Sequence, residues 1–171
     1  MEAIMESRAK ILGHSAHQIL IVFPLGLLAT AVVFDLVAHW NGDGMLAAVA
    51  YYMLLAGILG GLVAAPFGFV DWRAIPSGTR AKRIGAAHGT VNAIALVLFV
   101  ASWWIRPAPA DIPPGATVLA VAAAMIAGVG GWLGGELVTR LGVGVDEGAH
   151  VDAPSSLSHR PAAEHAGRGR V

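Results

Sequence analysis

The residues able to do chemistry fall in a few short groups. His14 and His17 stand three apart, His88 and Asn92 four apart, Glu136 and Arg140 four apart, and Asp71 follows a long apolar run. Spacings of three and four place side chains on one face of a helix. Imidazole nitrogens are axial ligands of haem iron, and a mixed imidazole and carboxylate set suits zinc, iron or manganese. Two chemistries follow. His17 and His88 would hold a b-type haem from both sides, with Asn92, Asp71 and His14 nearby. Alternatively His14, His17, His88 and Glu136 would hold one divalent metal ion. A third possibility involves no cofactor. His14 and His17 would then be interfacial, Glu136 and Arg140 an ordinary ion pair, Asp71 a loop cap and His88 a hydrogen-bonded core residue. The chain has no cysteine, which excludes disulfides, thiolate zinc sites and cysteine-held clusters. No convincing serine, histidine and acid set stands at depth, which argues against hydrolase chemistry.

These residues have to be positioned by helices in a membrane. Of 171 residues, 56% are apolar and only 13% charged, and the mean hydropathy is +0.68. Soluble domains carry about 25% charged residues. The net charge is zero, so nothing points to nucleic acid. Runs of about 20 apolar residues are long enough to cross a bilayer as helices. Four such runs are present, at about 19–40, 45–70, 84–105 and 117–139. Period-two alternation is lacking, so a β-barrel is not expected. Asn41-Gly42-Asp43-Gly44, the 71–83 segment with its Pro76-Ser77-Gly78 turn, and the Pro-rich 106–114 segment connect them. Thr79 is the expected N-cap of the third helix. Pro24 should interrupt and kink the first. The expected architecture is an all-α, up-down four-helix transmembrane bundle over residues 1–145, with a disordered cytoplasmic tail at 146–171.

Lysine and arginine placement sets orientation. Arg8, Lys10, Arg73, Arg80, Lys82, Arg83, Arg140 and three tail arginines share one side, against Arg106 on the other. Both termini are therefore expected in the cytoplasm, and the bilayer to be a bacterial inner membrane. The first dozen residues show no cleavable signal. His14, His17, Asp71, His88, Asn92, Glu136 and Arg140 all fall on the terminal side. His88 lies roughly 7 Å deeper than Arg83 by helical rise. At the opposite side Asp35 is four residues from His39, and Arg106 is available to pair with Asp35 as a structural interface pair.

The spacing from His17 to Gly60 nearly matches that from His88 to Gly134, which suggests two similar helical hairpins related by an axis along the membrane normal. His17 and His88 would then face that axis together. Small residues four apart, at Gly57, Gly61 and Ala65, Gly60, Ala64 and Gly68, Gly130 and Gly134, and Gly131 and Gly135, let helix backbones approach. They would serve packing within the bundle, a smooth wall for a flat cofactor, or a homo-oligomer contact.

Several stretches together resemble a bacterial family of four-helix integral membrane proteins, domain of unknown function 2231. They are Gly13-His14-Ser15-Ala16-His17 with Val22-Phe23-Pro24-Leu25-Gly26, then Asp71-Trp72-Arg73-Ala74-Ile75-Pro76-Ser77-Gly78-Thr79-Arg80, then His88-Gly89-Thr90-Val91-Asn92. The last is Gly130-Gly131-Trp132-Leu133-Gly134-Gly135-Glu136-Leu137-Val138, ending at Gly142-Val143-Gly144-Val145. The resemblance covers roughly 13–145. The family pattern has a proline after each of the first two histidines, where this chain has Ser15 and Gln18, so helix one is free to begin earlier. The resemblance implies four membrane helices and no particular activity. Some members look to be joined to, or encoded beside, Rieske-type or cytochrome c domains, which leans the expectation toward redox work with a redox partner or larger membrane complex. The expected function is a small membrane redox protein or subunit holding haem b between helices one and three and passing electrons to a partner or quinone. The alternatives are a non-catalytic scaffold subunit and a His/Glu metal-binding protein.

Overall fold

The computed structural model describes residues 5–165. Glu2, Arg168 and Arg170, and with them the last six residues of the expected tail, lie outside the described residues. Four helical stretches are long and apolar enough to cross a membrane: Ala16–Asn41, Gly44–Ala74, Arg80–Trp104 and Pro114–Thr139. The expected all-α bundle is present. Each stretch is a few residues longer than its apolar run, because helices begin at caps while hydropathy marks only the lipid-facing part.

The first stretch has two pieces, α1 (Ala16–Leu20) and α2 (Val22–Asn41). The break falls at Ile21, just ahead of Pro24. Proline has no N–H, so the carbonyl it loses belongs to the residue four earlier, Leu20. Ile21 N–H still donates to His17 O at 3.0 Å and Leu25 N–H to Ile21 O at 3.1 Å, which carries the helix path across the joint. Gly42 ends α2 at φ 72°, a left-handed conformation that glycine adopts without strain. Asp43 then caps α3 (Gly44–Ala74), its Oδ1 accepting from Met45 N at 2.9 Å and Leu46 N at 3.2 Å. Asp71 and Trp72 lie inside α3, which continues to Ala74. Thr79 caps α4 (Arg80–Trp104) by accepting from Lys82 N at 3.1 Å, as expected. The helix α5 (Pro114–Thr139) opens on a proline, whose missing N–H is no loss at a first helical position.

Neighbours in sequence pack side by side: α2 on α3, α4 on α5, with α3 against α4, so that α2 and α4 stand on the bundle's diagonal. The centre is Ala31, Ala50, Leu54, Phe99, Ala120 and Ala123. Small residues bring the backbones together there, which is how helices associate where lipid removes the hydrophobic drive. A Cβ at Gly57 would stand 2.6 Å from Leu28 Cγ, and one at Gly60 3.3 Å from Pro24 Cδ. Gly131 and Gly135 differ from their expected packing role: a Cβ at either meets nothing within 4 Å. One residue along a helix turns the side-chain direction by about 100°, so the Gly130 and Gly134 stripe faces α4 while the Gly131 and Gly135 stripe faces outward. The outer surface is apolar, with Trp40, Met45, Trp104, Val118, Met125 and Trp132 exposed.

A short ribbon precedes the bundle, β1 (Lys10–Ile11) pairing antiparallel with β2 (His14–Ser15). Where the sequence suggests a disordered tail, residues 146–165 follow turns with one short 3-10 helix, Ser156–Ser158, and no longer helix. They return to the N-terminal segment. Met5 N donates to Gly142 O at 3.1 Å and Gly144 N to Met5 O at 2.7 Å. Lys10 Nζ meets Asp146 at 2.6 Å, and Glu147 N donates to Glu6 at 3.1 Å.

Candidate functional site: a pair of facing histidines

His17 comes from α1 and His88 from α4, and their rings meet at the centre of one end of the bundle. The ring centroids are 6.2 Å apart and the planes nearly perpendicular, at 87°. Each ring is oriented by a backbone carbonyl of the next helix in its own hairpin. His17 Nδ1 lies 3.0 Å from Ala64 O, and His88 Nδ1 lies 2.9 Å from Gly130 O. A backbone carbonyl only accepts, so Nδ1 carries the proton in both rings and Nε2 is the nitrogen with a lone pair. One turn past each carbonyl stands a glycine. A Cβ at Gly68 would come within 2.9 Å of the His17 ring, and one at Gly134 within 3.1 Å of His88. The two glycines are the niches in which the imidazoles sit. Asn92 closes the second half: its Nδ2 donates to His88 O at 2.8 Å and lies 3.3 Å from His88 Nδ1.

The two hairpins thus build the same arrangement of histidine, carbonyl and glycine. Its register differs from the expected one, since the partner of His17 is Gly68 and not Gly60. The carbonyl lies 47 residues after the histidine in the first hairpin and 42 in the second, because it sits nearer the start of α5 than of α3, while the shorter α4 and the longer loop after it nearly cancel.

At the far end the repeat recurs with opposite charges. Asp35 and Arg106 are separated by 71 residues, the same separation that divides His17 from His88. Their side chains are wholly buried. Arg106 Nη1 donates to Asp35 Oδ1 at 2.9 Å, Nη2 donates to Oδ2, and Nε donates to Ser102 O at 3.3 Å. The expected pairing is present, with both side chains enclosed by the bundle at that end. His39 is exposed and stands apart from it. By helical rise Asp35 lies about 27 Å from His17, close to the roughly 30 Å of a hydrocarbon core. The two equivalent pairs therefore mark the two edges of the span, with apolar packing between.

The other candidates go elsewhere. His14 is exposed and meets Ser156 Oγ at 3.3 Å. Glu136 pairs with Arg80 of α4 at 2.6 Å rather than with Arg140, which lies past the last helical residue and is exposed. Asp71 is buried, and its carboxylate accepts from Ser7 Oγ at 2.7 Å, Arg8 N at 2.7 Å and Ala9 N at 3.3 Å. It is the anchor of the N-terminal segment. Among the described residues no three His, Asp or Glu side chains converge as a metal-ligand set, so His14, His17, His88 and Glu136 are not one site in this conformation. Sequence reasoning missed Ser7, Arg80 and the two carbonyls. Backbone acceptors leave no residue-type signal, and Ser7 has none of its own.

No curated protein and no solved structure matches the chain. A family model described as a predicted membrane protein matches residues 13–147, which takes in all four spans, the histidine pair, Asp71, Asn92 and Glu136. With more than half its length matched, the chain belongs to the predicted membrane protein family DUF2231.

Proposed function

We propose that this integral membrane protein is a small redox protein or subunit, and that His17 and His88 would hold a b-type haem between its first and third spans. The observation that carries the reading is the facing of two imidazoles from diagonal helices, each with Nδ1 occupied by a carbonyl. Metal-bound histidines are commonly oriented in this way by a partner on the other nitrogen. The donor set fits the group. Gly68 and Gly134 hold the imidazoles themselves and do not form a wall for a porphyrin. Asn92 fixes the His88 backbone by donating to its carbonyl. A haem so held supplies one-electron transfer; the partner would be a quinone or a redox protein. The lysine and arginine asymmetry supports cytoplasmic termini.

A second reading is favoured by the filled glycine niches. His17 and His88 would then be clasps that pin each hairpin together, and the protein a non-catalytic membrane subunit. An optical spectrum of detergent-purified protein, expressed with ample haem, separates the two. A Soret band with sharp reduced bands, lost in His17→Ala and in His88→Ala, supports the redox reading. A featureless spectrum from folded protein overturns it and leaves the clasp, with metal analysis deciding whether an ion without porphyrin lies between the rings.

A further inference from the structure

The connection between α3 and α4 concentrates positive charge at the edge of the span. Arg73, Arg80, Lys82 and Arg83 fall within eleven positions, and no acidic residue occurs between Asp71 and Asp111. Two carboxylates of the neighbouring spans are committed. Asp71 is buried against Ser7 and two backbone amides, and Glu136 pairs with Arg80. Among the described residues the other three cations have only neutral partners. Lys82 Nζ donates to Trp72 O at 2.7 Å and stands 4.1 Å from the centre of the Trp72 ring. Trp72 Nε1 returns a bond to Lys82 O at 3.2 Å. This two-way clamp fixes the loop against α3, and Gly85 lets Trp72 lie close, since a Cβ there would be 2.8 Å from its ring.

The exposed arginines flank that clamp. Arg73 lies over the Phe69 ring at 5.9 Å, and Arg83 reaches Gly78 O at 3.4 Å. Phe69 is 54% exposed and Val70 46%, so the surface directly below the Arg73 guanidinium is apolar. A cationic rim above an exposed apolar wall fits a molecule with an anionic head and a hydrocarbon body. Guanidinium groups take phosphate through paired N–H donors, and juxtamembrane basic residues attract anionic leaflets. We propose that Arg73 and Arg83 bind the phosphate of an anionic phospholipid, with its acyl chains against Phe69 and Val70. The site is independent of the histidine pair and of any haem.

The test is native mass spectrometry of the detergent-purified full chain titrated with phosphatidylglycerol, with phosphatidylcholine in parallel. Phosphatidylglycerol is expected to bind in preference. Binding should fall roughly tenfold in the Arg73→Gln/Arg83→Gln double variant, on the scale of two juxtamembrane charges. Arg73→Lys/Arg83→Lys should recover part of the loss, and circular dichroism should show unchanged helicity in both. Equal binding of the zwitterionic lipid, or wild-type binding by the glutamine variant, overturns the proposal. Complete competition by soluble glycerol phosphate at equal concentration also overturns it, since the site would then read a free phosphate and not a lipid.

Discussion

His17 and His88 meet at one end of the bundle's centre from opposite corners, 6.2 Å between ring centroids, each held by a carbonyl of its own hairpin. The same relation joins Asp35 and Arg106 at the other end, so two pairs of equivalent residues close the two hairpins on each other. In a repeat whose axis runs along the membrane normal, only residues near that axis can touch their own equivalents. The chemistry at the two ends differs: like residues at one, opposite charges at the other.

The imidazole niches predict opposite outcomes for neighbouring glycines. Gly68→Ala puts a methyl 2.9 Å from the His17 ring, and overpacking of this kind costs about 1–3 kcal/mol. Gly131→Ala meets nothing within 4 Å and gains up to about 1 kcal/mol of helix propensity. Thermal unfolding in detergent should show the first variant less stable than wild type and the second equal or more stable. Equal destabilisation by both would remove the niche argument.

The buried ion pair predicts an asymmetry between breaking and replacing. Arg106→Gln leaves Asp35 charged and wholly buried, and removing one partner of such a pair costs about 3–5 kcal/mol. Asp35→Leu with Arg106→Met removes both charges and should recover most of that loss. Exchange of the two residues should also recover it in part, because both charges are again paired. Yields of folded protein and unfolding temperatures decide this. A double apolar variant as unstable as the single would mean that the pair does more than satisfy itself.

Much of this was legible in the sequence. Hydropathy marks the four spans, the Thr79 cap is readable from its position, and the Asp35 and Arg106 pairing is suggested by a lone arginine on that side and an aspartate inside a span. The histidine pair was legible as two equivalent positions. Its surroundings were not. The partners of both rings are backbone carbonyls, which every residue has, so Ala64 and Gly130 carry no mark. The glycine register depends on loop length, and Gly60 looks as suitable as Gly68 until the helices are placed. Glu136 has Arg140 one turn away in sequence, but the helix ends before Arg140, and Arg80 from the neighbouring α4 takes the carboxylate.

Asp71 predicts a local effect. Its carboxylate holds the Ser7 hydroxyl and the amides of Arg8 and Ala9. Asp71→Ala leaves the amides of Arg8 and Ala9 without their acceptor, while the Ser7 hydroxyl keeps Ala9 O at 3.0 Å, and the penalty, at most about 1–3 kcal/mol per unsatisfied group, falls on the N-terminal segment. Limited proteolysis should cleave within residues 5–13 much faster than in wild type while circular dichroism of the spans is unchanged. Loss of helicity instead would place Asp71 in the bundle's own stability.

The contact between tail and N-terminal segment predicts a dependence on pH with two edges. The Lys10 ammonium, with the amide of Glu147, holds the Glu6 carboxyl below its ordinary value of 4.5. Asp146, then Glu6, hold Lys10 above 10.5. A lowered carboxyl contributes in full above its unfolded value and loses that contribution as pH falls through its folded one. A raised ammonium contributes in full below its unfolded value and loses that contribution as pH rises through its folded one. The contact should therefore be fully formed between about pH 5 and pH 10 and loosen on either side. These groups are exposed, so the effect is small and screened by salt. Protection of the Glu147 amide, corrected for intrinsic exchange, is the readout, because that N–H donates to Glu6. It should fall below pH 5, and fall at neutral pH in Lys10→Gln. Protection that stays constant through the acid range in wild type would show that the tail is held by its backbone bonds at Met5, Gly142 and Gly144 alone.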